Sequence, residues 1–274
     1  MLFYNGVRDK KLQNMTQSLH PAAEKGFGAA AALYQQVRPG YPAEISIWLK
    51  SHLKLSGQDA LLDLGSGTGK FLPYLKSISS KITAVDPVAA MLQQLRQAHP
   101  DISTVQAFSS EIPVPDHSIR AVFCAQSFHW FAEQATLAEI ERILQPDGDL
   151  VLIWNQRDIN TDWVKALAEI LLPLEGGTPR YHSGLWQKAF EQQPWFKLDQ
   201  ETAFRQLHCG TVEQVVSKRL LSTSFIAAMP EAQQQALKLQ FEQTVFELTG
   251  KQAQDDIEFP YTTHVYVFKK TAGK

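Results

Sequence analysis

From residue 59 onward the chain alternates short apolar runs with stretches of helical period. The runs fall at 59–64, 81–85, 103–107, 119–125 and 149–154, all of strand length and most of them rich in Leu, Ile, Val or Ala. Between them, residues 68–78, 88–98 and 132–144 repeat apolar positions at the spacing of one helix face and predict helices. Strands alternating with helices at this interval predict a parallel sheet with right-handed crossovers. Strands with so few polar positions predict cover on both faces of that sheet. Gln145-Pro-Asp-Gly148 reads as a turn ahead of the fifth strand.

On either side of this block the rhythm changes. Residues 20–40 are Ala-rich and helical in character, and Arg38-Pro-Gly-Tyr-Pro42 makes a turn. Pro42 suits the first turn of a helix over 43–55. Residues 162–193 predict mostly helix, 197–207 a sixth strand, and 211–250 helix again, with Gly250 as its C-cap. Residues 261–268 are β-branched and aromatic and predict a last strand.

Composition narrows the classes. The chain has 274 residues, of which 44% are hydrophobic, enough for a sizeable core. Its net charge is −2, so no excess of Lys and Arg favours nucleic acid or an anionic membrane as partner. The two cysteines, Cys124 and Cys209, sit in separate apparent strands and suit a reducing cytoplasm better than a disulfide framework. Clustered metal ligands are lacking, and no metal site is expected. No run approaches the roughly 18–20 apolar residues of a membrane span. Residues 1–14 carry charges where a signal peptide needs its apolar stretch, and read as leader, tag or tail.

The candidate chemistry lies in Asp63-Leu-Gly-Ser-Gly-Thr-Gly69, between the first strand and the helix after it. Glycine there permits a tight turn and lets a ligand lie against the backbone, with helix N–H groups facing it. A nucleoside triphosphate loop needs four residues between its first Gly and the Gly-Lys pair, then Ser or Thr; here there are three, and Phe71 follows Lys70. A dinucleotide fingerprint would put its third small residue at Lys70, where a long side chain crowds helix against strand. The pattern Asp-x-Gly-x-Gly-x-Gly is matched completely.

With that loop the chain resembles the class I S-adenosylmethionine-dependent methyltransferases, in particular their type-11 branch. The resemblance implies a Rossmann-like α/β fold: a seven-stranded, mostly parallel sheet with an antiparallel last strand, helices on both faces, a helical N-terminal lid and insertions after strands five and six. Residues 1–24 would be a tail and 25–274 one domain. Its core would span about 43–158 plus strands near 197–208 and 260–269, with lid and insertions at 159–193 and 211–256. The cofactor implied is S-adenosyl-L-methionine, with S-adenosyl-L-homocysteine as product. Asp63 would hold the loop and the methionine end, and Gly65, Ser66, Gly67 and Gly69 would carry the cofactor against the backbone. Strand two ends at Asp86-Pro87, where the resemblance gives Asp86 the ribose hydroxyls and Pro87 the adenine; otherwise Asp86 caps the next helix. Gln106-Ala-Phe-Ser-Ser-Glu-Ile-Pro-Val-Pro-Asp116 resembles the family's adenine-side segment. It offers Ser109, and Glu111 either to the cofactor or to backbone N–H groups of the loop. Phe108 and Ser110 depart from the family's usual Gly and Ala there.

Ligands of open α/β sheets bind beyond the carboxyl ends of the strands, which points the acceptor at Ala125-Gln-Ser-Phe-His-Trp-Phe131. This segment resembles that of a subgroup including relatives of trans-aconitate methyltransferase. Gln126 would contact the methionine portion, and Trp130 the acceptor. His129 is either a general base, its pKa lying near neutrality, or a packed histidine bonded to a backbone carbonyl. Tyr34 and Arg38 resemble the subgroup's lid over the cofactor, Arg38 pairing with a carboxylate or standing solvated at a helix end. Trp154 and Asn155 would face the acceptor pocket, and Tyr181, His182 and Trp186 would belong to the lid. The function expected is methyl transfer to a small-molecule acceptor, such as a carboxylate, which needs no base. A methyltransferase of RNA or protein, and a non-catalytic cofactor binder, are the alternatives.

Overall fold

The computed structural model describes residues 37–271. The expected tail over 1–24, the helical stretch before Val37, and Tyr34 lie outside the described residues. The elements are α1 (Glu44–His52), β1 (Ala60–Leu64), α2 (Leu72–Lys76), β2 (Lys81–Val85), α3 (Ala89–Ala98), β3 (Ser103–Val105), β4 (Ile119–Ala125), α4 (Gln134–Ile143), β5 (Leu144–Arg157), α5 (Asp162–Leu171), β6 (Phe196–Thr211), α6 (Glu231–Thr249) and β7 (Asp256–Lys270). The strands form one seven-stranded sheet in the order β3-β2-β1-β4-β5-β7-β6. β1 to β5 pair in parallel, and β7 runs antiparallel to both β5 and β6.

Alternation within the strands sends successive side chains to opposite faces. Leu61, Ala84, Phe123, Val151 and Ile153 pack on one side against Ile45 and Leu49 of α1, Leu72 and Leu75 of α2, and Leu92 and Leu95 of α3. Leu62, Leu64, Val122, Cys124, Leu152 and Trp154 pack on the other against Leu137, Ile140 and Ile143 of α4 and against Trp186. Burying such a side chain contributes about 1.5–3 kcal/mol, so both faces are stabilised mainly by this packing.

Three departures from the sequence reading have local causes. α2 starts at Leu72 rather than near 68, because a helix begun earlier would place Pro73 in its interior. Gln145-Pro-Asp-Gly148 is a bulge inside β5: pairing jumps from Ile119↔Leu144 to Ala121↔Asp149, and strand continues on both sides. The stretch 162–193 holds only α5 and the short turns Leu172–Leu174 and Leu185–Phe190. Pro173, Gly176, Gly177 and Pro179 interrupt what helical periodicity suggested.

β6 and β7 reach beyond their expected bounds and pair from Phe196↔Lys270 to Thr211↔Asp256. Their far ends support the insertion between them. It holds the π-helical Glu213–Lys218, the turns Arg219–Leu221 and Ser224–Ala227, and α6, which ends at Gly250 with φ +73° as its C-cap. Val164, Leu167, Val216, Phe241, Val245 and Phe259 give this region its own core. The insertion follows β6 at the carboxyl edge of the parallel strands, so it covers the edge where ligands bind.

Candidate functional site

The strand order reverses between β1 and β4, and the crevice at such a switch point is where an open sheet takes its ligand. The glycine loop turns there. Gly65, Gly67 and Gly69 have φ of +68°, +53° and +85°, a region that L side chains rarely adopt. A Cβ at Gly65 would lie 2.5 Å from Cβ of Ser127, so this glycine also lets the segment after β4 close on the loop. A Cβ at Gly69 would meet Leu72 and Leu95, between the helices. At Gly67 nothing lies within 4 Å: among the described residues it borders open space, a cradle for a ligand. The N–H groups of Gly65 and Ser66 both bond the Val85 carbonyl, at 2.8 and 3.0 Å, tying the loop to β2.

Beneath the loop sits Asp63, 1% exposed, with neither carboxyl oxygen bonded among the described residues. Burial raises its pKa to about 8, with the charge of Asp86 adding to the effect. Asp86 is also buried but partnered: its Oδ2 accepts from Gly67 N–H at 2.9 Å and its Oδ1 from Val88 N–H at 2.8 Å. Burial raises it to about 6 against the pull of those two bonds. Thus Asp86 both holds the loop and orders the start of α3, and still stands at the end of β2. Pro87, half-buried, accepts from Gln106 through its carbonyl at 3.1 Å. The hydroxyl of Ser66 is buried without a partner in the same loop.

The segment 106–116 is held to α4. Ser109 shares a 2.7 Å hydrogen bond with Thr136 of α4, and Glu111 is exposed. Ile112 N–H donates to Glu139 Oε1 at 2.6 Å, the backbone service considered for Glu111. Arg142 donates to the carbonyls of Ile112 and Val114 and pairs with Glu139 and Asp116. Glu139 and Arg142 are one helical turn apart on α4, a spacing visible in the sequence, but their target loop is not.

After β4, Gln126 takes φ +60°, a costly conformation for a non-glycine residue, held by its N–H bond to the Ile153 carbonyl at 2.8 Å. Its amide donates to the Asn155 carbonyl at 3.1 Å. Ser127 donates to the Leu64 carbonyl at 2.7 Å, fastening this turn to β1. Trp154 donates its indole N–H to His129 Nδ1 at 3.0 Å. Indole only donates, so Nδ1 accepts, and the neutral imidazole carries its proton on Nε2. Burial lowers the His129 pKa to about 3, with Arg180, His182 and Arg38 adding to the shift. The ring is therefore neutral at pH 7 with its lone pair engaged, and Trp130 lies beside it, ring centroids 5.2 Å apart. Trp154 is fully buried against Tyr181 and Trp186.

Asn155 is tied on both sides, donating to the Gly40 carbonyl at 2.8 Å and accepting from Thr263 at 2.6 Å. It straps residues 38–41 over the site, helped by Lys70, which donates to the Arg38 carbonyl at 3.0 Å. Arg38 reaches across to the insertion, donating to Ser222 Oγ at 3.0 Å and Ser222 O at 2.8 Å.

These walls border a small cleft that opens to solvent, lined by Arg38, Gln126, His129, Trp154, Asn155, Tyr181 and His182. The same cleft is lined by Arg157, Arg180, Arg219, Thr223 and Tyr261, which no motif announces. Arg157 follows Trp154-Asn155 closely enough to be found by position. The others come from the insertions and from β7. Among the described residues no group of three His, Cys, Asp or Glu side chains is placed to hold a metal ion. No described helix is long and apolar enough to cross a membrane.

Fold and loop are those of an α/β enzyme that binds a ligand at its switch point, and comparison with known proteins gives the family. A methyltransferase domain model of the type-11 group matches residues 62–152. A methyltransferase-like protein of Schizosaccharomyces pombe, itself uncharacterised, is 33% identical over 251 residues, covering 91% of this chain and 97% of its own. A second uncharacterised methyltransferase of that yeast is 30% identical over 247 residues, covering 89% and 96%. Among solved structures, a candidate type II methyltransferase from Anaeromyxobacter dehalogenans superposes with TM-score 0.62 at 18% identity, covering 86% of this chain and 97% of that one. The chain belongs to the class I S-adenosylmethionine-dependent methyltransferases.

Proposed function

We propose that this protein transfers the methyl group of S-adenosylmethionine to a small-molecule acceptor, a carboxylic acid or related metabolite, and releases S-adenosylhomocysteine. The observation that carries the donor site is Asp63: a carboxyl 1% exposed, without a hydrogen bond, under a glycine cradle. Such a group is neutral while it stays unpartnered and still lacks the hydrogen bonds that burial demands; the ammonium of the donor's methionine end would supply them and let it ionise. When bound, the donor supplies an already activated sulfonium methyl.

The chain's own residues do the rest. Gly65, Gly67 and Gly69 keep side chains away from the donor, and the buried Ser66 hydroxyl gives its loop one further polar contact. Asp86 keeps oxygen lone pairs for ribose hydroxyls, with Pro87 beside the base. The Ser109 side of the crevice borders the adenine. Gln126, fixed in its strained turn, borders the methionine end, and Arg38 closes the strap above it. The acceptor enters the cleft beyond β4 and β5 and lies against Trp154 and the strap held by Asn155; Trp130, also expected there, is not among the residues that line it. His129 serves as a hydrogen-bond donor through Nε2, since Trp154 holds its only lone pair. A carboxylate needs no base, so alignment and exclusion of water are the main demands on the site. The unpaired cysteines, Cys124 buried and Cys209 exposed, support work in a reducing cytoplasm.

The test is partition of label. With methyl-labelled donor and a cell extract, label is expected in the acidic small-molecule fraction. Label confined to RNA or to protein rejects the acceptor class. Binding of donor with no label in any fraction rejects catalysis.

A further inference from the structure

β6 ends the sheet. It is 16 residues long, roughly three times the usual strand, and its only strand partner among the described residues is β7. Its outer row of N–H and C=O groups is a template for one more strand. Proteins keep such edges from pairing with bulges and charges, and β6 has both. The register slips between Leu198 and Gln200, and Lys197, Asp199, Glu201 and Arg205 are exposed. What sets this edge apart is the order of its side chains.

Leu198 and Glu201 stand opposite Phe268 and Tyr266 of β7, whose rings pack on the face away from α1. Ala203, Arg205 and Leu207 follow at alternate positions on that face, all exposed. Leu198 and Leu207 are 46% and 54% exposed. The row therefore reads Leu, Glu, Ala, Arg, Leu: apolar at both ends, opposite charges inside them, and the smallest side chain at the centre. A second copy brought in antiparallel, about a two-fold axis through Ala203, sets this row against its own reverse. Glu201 then faces the partner's Arg205, and Arg205 faces the partner's Glu201. The bulge puts Leu198 and Asp199 together against the partner's Leu207, so the leucines meet on one face. On the α1 side, where Phe204 packs 5.9 Å from Trp48, Thr202 faces the partner's Phe204, a β-branched and aromatic pair. Other registers lose this match. An axis at Glu201 or Arg205 sets like charges on each other, and one at Thr202 or Phe204 sets Leu207 against Lys197 or Glu201.

We infer that the outer edge of β6 is a self-association surface that joins the seven-stranded sheets of two copies into one, about an axis through Ala203. The occupant is a second copy because the row complements itself. The charges act as selectors: they repel a misregistered or foreign strand and admit the chain's own. About ten residues a side take part, against the roughly 20–30 of a standard stable interface, so the dimer dissociates readily. The inference is independent of the donor and acceptor readings.

Sedimentation of the full chain over a concentration series tests it. A monomer–dimer equilibrium in the micromolar range is expected, and a protein still monomeric at about 500 µM overturns the inference. Glu201→Arg and Arg205→Glu should each weaken the dimer about tenfold, by setting like charges together at two symmetric places, and the two changes combined should restore it. Association indifferent to both single changes, or a double variant no better than either, overturns it too. Oxidation in a Cys209→Ser background reads the register. Ala203→Cys should cross-link to its own copy, because residues opposite one another have Cα atoms about 4.5–5.5 Å apart, and Leu207→Cys should not. Cross-linking through Leu207→Cys in preference to Ala203→Cys overturns the axis and the inference with it. All the substituted positions are exposed, so each variant should melt as the wild type does.

Discussion

At the residue scale, Asp63 is a buried carboxyl without a hydrogen-bond partner among the described residues. A carboxyl raised from 3.8 to about 8 on folding binds its proton more tightly in the native state than in the unfolded one. Between those values the native state holds more protons, so stability falls as pH rises. The ligand-free protein should therefore lose stability from about pH 4 to about pH 8, with Asp86 sharing the slope up to about pH 6, and Asp63→Asn should flatten the slope above that while abolishing donor binding. Denaturant melts across this range check it, and an unchanged slope in the variant speaks against it. Asp63 and the three glycines were legible because a motif reports local backbone needs. The orphaned state of the carboxyl was not, because it depends on β2 and on Asp86, which lie elsewhere in the sequence. His129 was legible as a site residue, but its tautomer hangs on Trp154, 25 positions away.

At the scale of elements, α4 governs the adenine-side loop. Glu139 and Arg142 take one N–H and two carbonyls of residues 112–114, so the loop's shape is dictated by the helix. Arg142→Met should destabilise the protein by about 1–3 kcal/mol, chiefly through the unmet carbonyls rather than the exposed ion pair with Asp116. Hydrogen exchange should quicken in this loop first, and an unaltered exchange pattern would contradict the clamp. The strands and helices of the first half were readable because period two and period 3.6 report burial directly. The insertion helices were overcalled where Pro173, Gly176, Gly177 and Pro179 break the chain. The bulge at 145–148 reads locally as a turn, and only pairing with Ile119 and Ala121 shows that the strand continues through it.

At the scale of the whole molecule, the switch between β1 and β4 puts the glycine loop and the cleft at one edge, and residues of the insertions after β5 and β6 line that cleft. The sheet, with its antiparallel β7, could be anticipated from the alternation of elements and the family resemblance. The basic lining of the cleft could not, since Arg157, Arg180 and Arg219 come from three segments brought together only by folding. Calorimetric titration with S-adenosylmethionine and S-adenosylhomocysteine, on the wild type and on Gly67→Ala, tests the account most directly. Gly67 faces open space at φ +53°, so the added methyl should cost only about 1–2 kcal/mol of stability while filling the cradle. The account predicts saturable one-site binding of both compounds to the wild type and loss of that binding in the folded variant. Absence of binding to the wild type at millimolar concentration, or equal binding to the two proteins, would contradict it.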